Sequence, residues 1–457
     1  MAAAGDAATP PAPDPYQDHA KIRELVDKDM ADWSRGRDLI LRADWRNILF
    51  WRGLQWIQFD RSQNRFRPAV LPKNFPRPVT NRFSSTIDAV ISVLARIEPT
   101  LKFPPATEDP EDRATSDIAD RAIQVIEDEV QIRPLRQYLA TWIGLTGGGW
   151  VENGYDPDPR HGMVPVPTGE QDPLTGEPAM EQMPRGRQYS EVVPKFEMFF
   201  DAAIPMWSRQ TKYARRKSLP VEEAKARWPA AAASIKPDSM AMDGEMYGDA
   251  LPTLGPNVGD DRGGPRGMSG LTAPQTNTRV TEQWYYSLPT PTYQGGLLEI
   301  RLGREQTVFA GPLPYAALQA DGSRKPFLPH VFFPMKLVPG SAWPKTIADD
   351  LAIKQTQRNR FEALAELIAM RMANPVWLKP TGSNVTNMTG EPGQVIEYNA
   401  LGPSPAKPER IPGQNIPPSI IRMLEMIDKD FEELAACLTA DQRIPCLDGQ
   451  TRTMQQL

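Results

Sequence analysis

The sequence predicts an α+β chain built from several structural units. Three observations carry this expectation. Apolar residues recur at helical spacing over some long stretches and alternate as strands do over others. At 457 residues the chain is too long for one compact core. Its 48 prolines are about twice the ordinary ~5%, so rigid turns and extended connectors cut it often.

Taken in order, residues 1–17 are rich in Ala, Pro and Asp and read as a disordered tail. Ile22, Leu25, Val26, Trp33, Leu39, Ile48 and Trp51 predict helix over 18–52, ended by Gly53. A Pro-rich extended stretch follows. Thr80 or Asn81 then caps a helix carrying Ile87, Val90, Ile91 and Leu94. Asp109-Pro-Glu-Asp opens a further helix with acids in its first turn, and Ile118, Ile123, Ile126 and Val130 give it an apolar stripe. Pro134 restarts this helix and Gly147 to Gly149 stop it. Strands and turns are expected over 150–200, with a loop or hairpin tip at 156–188.

Ser218-Leu-Pro-Val-Glu-Glu has the order of a helix start, so a short helix is expected over Pro220 to Ser234. Residues 236–277 lack periodicity and read as a long mobile loop. Strands are expected over Arg279 to Leu288 and Leu297 to Phe309. The clearest element is a helix over Thr346 to Ala373, in which Phe361, Leu364, Ala365, Ile368 and Met372 form one stripe. At 1.5 Å per residue it spans roughly 40 Å. Asn374-Pro375 ends it. A Gly/Pro/Asn-rich hairpin region precedes a last helix, Pro418 to Leu438, whose Ile420, Leu424, Ile427, Phe431 and Leu434 form a heptad-like seam.

Composition and motifs exclude several classes of chemistry. No run of eighteen apolar residues occurs, so no transmembrane helix and no membrane partner are expected. The only cysteines, Cys437 and Cys446, support neither a disulfide framework nor a zinc site. His19, His161 and His330 are far apart, which argues against a His-based metal centre. No GxxxxGK[ST], HExxH, GxSxG or CxxC motif occurs, so no catalytic residue and no cofactor are assigned. The net charge of −5 argues against a tight sequence-specific DNA binder, because gripping phosphates takes a basic surface. It leaves room for a surface that DNA slides past.

Three groups of residues are candidates for function. Arg209, Lys212, Arg215, Arg216 and Lys217 put five cations in nine residues, either a basic surface touching phosphate or, the commoner case, a solvated face or ion pairs with a neighbouring subunit. Lys354 and Arg358, at i and i+4, share a helix face. With Arg360 they would face DNA in a channel, or else pair with acids such as Glu362 or those of a neighbouring subunit. Phe361, Leu364, Ile368 and Met372 are the candidate packing residues of that helix. Acids at Glu108 to Asp112 and Glu127 to Glu129 are explained by a helix N-terminus and a solvated face better than by a metal site.

Several stretches, in order, resemble tailed-bacteriophage portal proteins, closest to those of podovirus-like phages. These are Trp45-Arg-Asn-Ile-Leu-Phe-Trp-Arg-Gly-Leu-Gln-Trp56; Pro76-Arg-Pro-Val-Thr-Asn81 with the helix exit Arg96-Ile-Glu-Pro99; Asp109 to Glu127; and Trp150 to Tyr155. Further on come Val193-Pro194 to Phe200-Asp201; Lys325-Pro-Phe-Leu-Pro-His330 ahead of the long helix with Gln355 and Asn359; and Asn374-Pro375 with Pro392-Gly-Gln-Val-Ile-Glu-Tyr398. The resemblance fades at 1–17, 236–277 and after 440.

The resemblance implies a ring of twelve identical subunits at one capsid vertex of the virion, assembled in the host cytoplasm. Double-stranded DNA would pass through it without sequence specificity during packaging and ejection. It implies a wing (18–206 and 374–438), a stem of two long helices (207–235 with its lead-in, and 346–373) and a clip (236–345). Residues 439–457 would begin a crown that is short, absent or truncated. Implied partners are the terminase large subunit, head-completion, adaptor and tail proteins, and the major capsid and scaffolding proteins. The rival readings are another phage head or adaptor protein, and a divergent metal-dependent nuclease.

Overall fold

A computed structural model describes residues 15–61, 65–72, 75–97, 101–105, 107–156, 162–171, 178–237, 279–319, 322–373, 377–378, 409–410 and 416–439. Of the tail expected over 1–17, Pro15–Gln17 instead form a 3-10 turn whose Tyr16 hydroxyl donates to the Gly296 carbonyl at 2.8 Å. The rest of that tail, the loop expected over 236–277 (from residue 238 onward) and the segment after 439 lie outside the described residues. So does most of the hairpin region before the last helix. The α+β class holds.

The N-terminal half is largely helical. α1 (His19–Ser34) and α2 (Arg37–Trp51) divide the expected helix at Gly36, whose φ of 75° is one that glycine tolerates. A β1–β2 hairpin (Ile57–Asp60, Arg65–Pro68) leads to α3 (Arg82–Ala95). Asn81 caps α3, its side chain accepting from the Ser84 N–H at 3.0 Å. α4 (Pro110–Val130) and α5 (Ile132–Thr146) are separated by Gln131, a non-glycine residue at φ 56°. α5 stops at Gly147, where a Cβ would meet the Lys345 backbone at 2.8 Å. Only glycine permits this approach of α5 to the chain entering the long helix.

β3 (Gly148–Asp156) is the middle strand of a three-stranded sheet. β4 (Met163–Gln171) and β5 (Pro178–Pro184) form the hairpin expected within 156–188, and β6 (Arg187–Pro194) returns to pair with β3. β7 (Met198–Phe200), β8 (Lys212–Pro220), β9 (Arg279–Ser287), β10 (Leu297–Leu302) and β11 (Gln306–Gly311) form an antiparallel five-stranded sheet in the order β11-β10-β9-β8-β7. A small hairpin, β12 (Ala316–Leu318) and β13 (Arg324–Pro326), precedes β14 (His330–Pro334), the third partner of β3.

Between β8 and β9 lies α6 (Val221–Arg227), only seven residues long. The expectation of two long stem helices is corrected here. β8 occupies most of the expected lead-in, and the Trp228-Pro229 step, with Trp228 at φ −122°, ends the helix early. The long helix α7 (Ile347–Ala373) forms as expected. A two-residue pairing of β15 (Trp377–Leu378) with β16 (Glu409–Arg410) precedes α8 (Pro418–Thr439). Among the described residues no helix is long and apolar enough to cross a membrane.

Packing unites segments that the expected domain boundaries would separate. β8 and β9 pair along their full length, and β14 pairs with β3. The sheets therefore run across the expected wing, stem and clip. α1 lays Ile22, Val26, Met30 and Trp33 on one face of the five-stranded sheet. The other face meets the three-stranded sheet through Trp150, Phe200, Tyr213, Tyr286, Phe332 and Trp343. A separate helical core gathers α2, α3, α5, α7 and α8 around Phe50, Phe83, Ile87, Leu351, Ile427 and Phe431. The heptad-like seam of α8 is thus spent inside the chain. At about 25 cal/mol per Å² of apolar surface, burying each such side chain is worth ~1.5–3 kcal/mol.

Candidate functional site

The long helix α7 was the first candidate, and its two faces differ. Lys354 Nζ donates to Asp430 Oδ2 at 2.6 Å, and Arg358 Nε donates to Asp428 Oδ1 at 2.8 Å, both on α8. Arg358 also pairs with Glu362 one turn on. These two cations therefore clamp α7 to α8 instead of standing free for phosphate. Arg360 lies on the opposite side and is exposed, close in angle to exposed Ile353 and Leu364.

The expected packing stripe is corrected in part. Phe361 joins the helical core and Ile368 is half-buried, but Leu364 and Met372 are exposed. The face that is buried instead contains Ala348, Leu351, Ala352, Gln355, Asn359 and Ala363.

That face explains a feature that apolar periodicity hides. Gln55, Asn81, Gln355 and Asn359 form one hydrogen-bonded amide cluster. Gln55 Nε2 donates to Asn81 Oδ1 at 2.8 Å, and Asn359 Nδ2 donates to Gln55 Oε1 at 2.7 Å. Gln355 Nε2 donates to Asn359 Oδ1 at 2.8 Å and to the Thr80 carbonyl at 2.9 Å. Gln355 Oε1 accepts the Phe83 N–H at 3.0 Å. Asn81 Nδ2 donates to the carbonyls of Phe50 and Trp51 at 3.2 and 3.1 Å. The cluster thus closes the carboxyl end of α2, caps α3 and fixes the rotation of α7. Gln55, Gln355 and Asn359 are buried, so the bonds of Asn359 and of Gln355 to the Phe83 N–H are made away from water, where an unmade one is costly.

The basic run is the second candidate, and it does not form a basic surface. Lys212 to Lys217 lie on β8, which places alternate residues on opposite faces. Arg215 is 3% exposed. Its Nε donates to Glu197 at 3.0 Å, Nη1 to Glu191 at 2.9 Å, and it also pairs with Glu152. Lys217 sits 3.8 Å from Glu191 and 3.7 Å from the fully buried Glu282, which Arg227 also contacts at 3.1 Å. On the other face Lys212 donates to Asp29 of α1 at 2.6 Å, and Arg216 donates to Gln283 at 3.0 Å. Arg209, just outside the strand, is exposed. Lys212, Arg215 and Lys217 thus form a seam of ion pairs between the two sheets and α1, with Arg209 outside it.

His330 belongs to the same seam. Tyr213 Oη and His330 Nδ1 are 2.8 Å apart, and His330 Nε2 faces Glu152 at 3.4 Å. Burial opposes charge on both groups. The His330 and Arg215 contacts nevertheless hold the Glu152 carboxyl well below the usual range, and burial keeps the His330 imidazole less basic than usual. Elsewhere, burial raises the Asp44 carboxyl to about 7 against the opposing pull of Lys195, its partner at 2.9 Å.

Depressed folded-state values for both groups mean that the native state binds fewer protons than the unfolded chain. Their contribution is complete above His330's ordinary 6.5, declines as pH falls below it, and declines again below Glu152's ordinary 4.5. Thermal melts of the His330→Gln variant are expected to show a flatter stability profile than the wild type between about pH 7 and 5, the window set by histidine titration. Equal slopes over that window would remove His330 from the account.

The acids at Glu108 to Asp112 and Glu127 to Glu129 lie at the two ends of α4, a helix with no buried residue. Among the described residues no group of three or more His, Cys, Asp or Glu could hold a metal ion. Five tryptophans serve the core: Trp33, Trp45, Trp142, Trp150 and Trp343 are buried. Sequence reading missed the amide cluster as a unit and the acids facing Arg215. Gln55, Gln355 and Asn359 had stood out only as parts of a resemblance. No protein-family model matches the chain, and no curated protein matches its sequence.

Proposed function

We propose that this chain is a portal subunit. It would assemble into a ring at one capsid vertex, conduct DNA during packaging and ejection, and dock terminase and head-completion proteins. One observation carries the reading beyond sequence order: the stretches that resemble portals meet in space. Gln55, Asn81 and the Gln355/Asn359 pair come from three of them and close one buried hydrogen-bond cluster. Two others join the His330 part of the third in one sheet, where Trp150 is opposite Val193 and Glu152 is opposite His330.

The electrostatics suit a conduit. A conduit must release DNA, and phosphate contacts by free cations would hold it. Here Lys354 and Arg358 are neutralised by Asp430 and Asp428, and the chain carries a net charge of −5. If α7 lines the channel, DNA would meet the Ile353, Arg360 and Leu364 side. Binding should then be weak, indifferent to sequence and shallow in its salt dependence. Negative-stain images of the purified chain should show closed rings of about twelve subunits, as cyclic heterologous contacts require. Monomers at every concentration tested would sink the reading, and sequence-specific nanomolar DNA binding would replace it with a DNA-recognition protein.

A further inference from the structure

Charge is segregated along this chain: Arg82 pairs with Asp428 and Glu129 with Arg185, while Arg52, Arg61, Arg77, Glu111, Asp117 and Asp128 are exposed. Residues 52–82 carry seven basic residues against one acidic. Residues 108–129 carry nine acidic against two basic. The described part of the basic segment comprises the β1 and β2 strands and extended chain that Trp56 holds by donating to the Pro78 carbonyl at 3.0 Å. Arg52, Arg61 and Arg77 are exposed there, and Val70 and Val79 are 84% and 40% exposed.

The acidic segment is α4, which packs along β6. Its half-buried side carries Ile123, Ile126 and Val130. A second apolar stripe, Ala114, Ile118, Ala122 and Val125, recurs at helical spacing on a different side. Ile118 and Val125 are 68% and 56% exposed. Exposed Glu111, Asp117 and Asp128 lie on or beside that stripe.

The two surfaces are opposite in sign and both carry exposed apolar residues. The basic strip leads into the amino end of α3. The chain leaving its carboxyl end, held by Arg136 on the Ile97 carbonyl, leads to Phe103, whose N–H is bonded to Asp120 of α4. The strip thus adjoins the amino end of α3, and the chain leading to α4 leaves from its carboxyl end. Complementary but different patches on one chain define a head-to-tail contact between copies.

We infer that α4 of one subunit docks on the basic 52–82 strip of the next copy of this chain, Ile118 and Val125 meeting Val70 and Val79 while the acids face Arg52, Arg61 and Arg77. This rests on the ring reading and assigns its surfaces. Opposite charges would set the partner and its orientation, and like charges would forbid the reversed pairing.

The test uses the full chain and two charge-reversed variants, one with Arg61→Glu and Arg77→Glu, the other with Asp117→Arg and Asp128→Arg. All four positions lie on the surface, and circular dichroism checks that both variants fold. Sedimentation should show the wild type assembled and each variant alone weakened about tenfold or more, since like-charge juxtaposition is costly. An equimolar mixture of the two should regain assembly, because each reversed surface then meets its complement. A monomeric wild type would overturn the ring reading and this inference with it. An assembled wild type with both variants equally assembled, or with no rescue on mixing, would overturn the inference and leave the ring. Undiminished assembly with DNA binding lost in the Arg61/Arg77 variant would make the strip a nucleic-acid surface instead.

Discussion

Arg215→Ala should cost about 3–5 kcal/mol of folding free energy, because removing one partner of a buried ion pair strands the others. Arg215 is the shared cation of Glu152, Glu191 and Glu197, and Glu152 is nearly as buried as Arg215 itself. Without the guanidinium, Glu152 would keep only the Tyr286 hydroxyl at 3.3 Å and His330 at 3.4 Å. Denaturant unfolding would measure the loss. Arg215→Lys should recover little of it, since an ammonium cannot reach several carboxylates in a fixed planar fork. Adding Glu152→Gln to the alanine variant should restore part of the stability by removing a stranded charge. A loss below about 1 kcal/mol, the size of a surface pair, would show that the seam is solvated.

Asn359→Leu should cost about 1–3 kcal/mol, because it leaves Gln55 Oε1 and Gln355 Nε2 each short of a buried partner. The damage should spread. Gln355 also holds the Thr80 carbonyl and the Phe83 N–H, so the start of α3 and the rotation of α7 would loosen together. Hydrogen exchange should therefore quicken at the amino end of α3 as well as along α7. In a double-mutant cycle with Gln55→Leu, the combined loss should fall short of the summed single losses by at least about 0.5 kcal/mol, the mark of partners in one network. Strict additivity would mean that the amides act independently.

These two expectations concern parts of the molecule that sequence periodicity did not reveal. Helical spacing marked α3, α7 and α8, and the side-chain oxygen of Asn81 marked where α3 begins. Gly147 marked where α5 ends, because the conformation required there is one that only glycine adopts without strain. Each signal is local: a dihedral preference, a cap or a repeat within a few residues. The same logic failed on the buried face of α7. An amide cluster occupies part of it, and a search for apolar stripes selected Leu364 and Met372, which are exposed.

What the sequence determined by itself was the class of the chain, most of its helices and several of its strands, since these follow from short-range sterics and from the period with which apolar residues recur. Only the tertiary structure decided what the charges do. The run Arg209 to Lys217 was open to a phosphate-touching surface, a solvated face or ion pairs between subunits, but from Lys212 onward a strand turns alternate side chains to opposite faces. Those faces then met Asp29, Glu152, Glu191 and Glu197, acids 18 to 183 residues away in the chain. Lys354 and Arg358 likewise found Asp430 and Asp428 across 76 and 70 residues. Electrostatic partnership depends on distance through space, and no local repeat encodes which distant carboxylate the fold will bring within 3 Å.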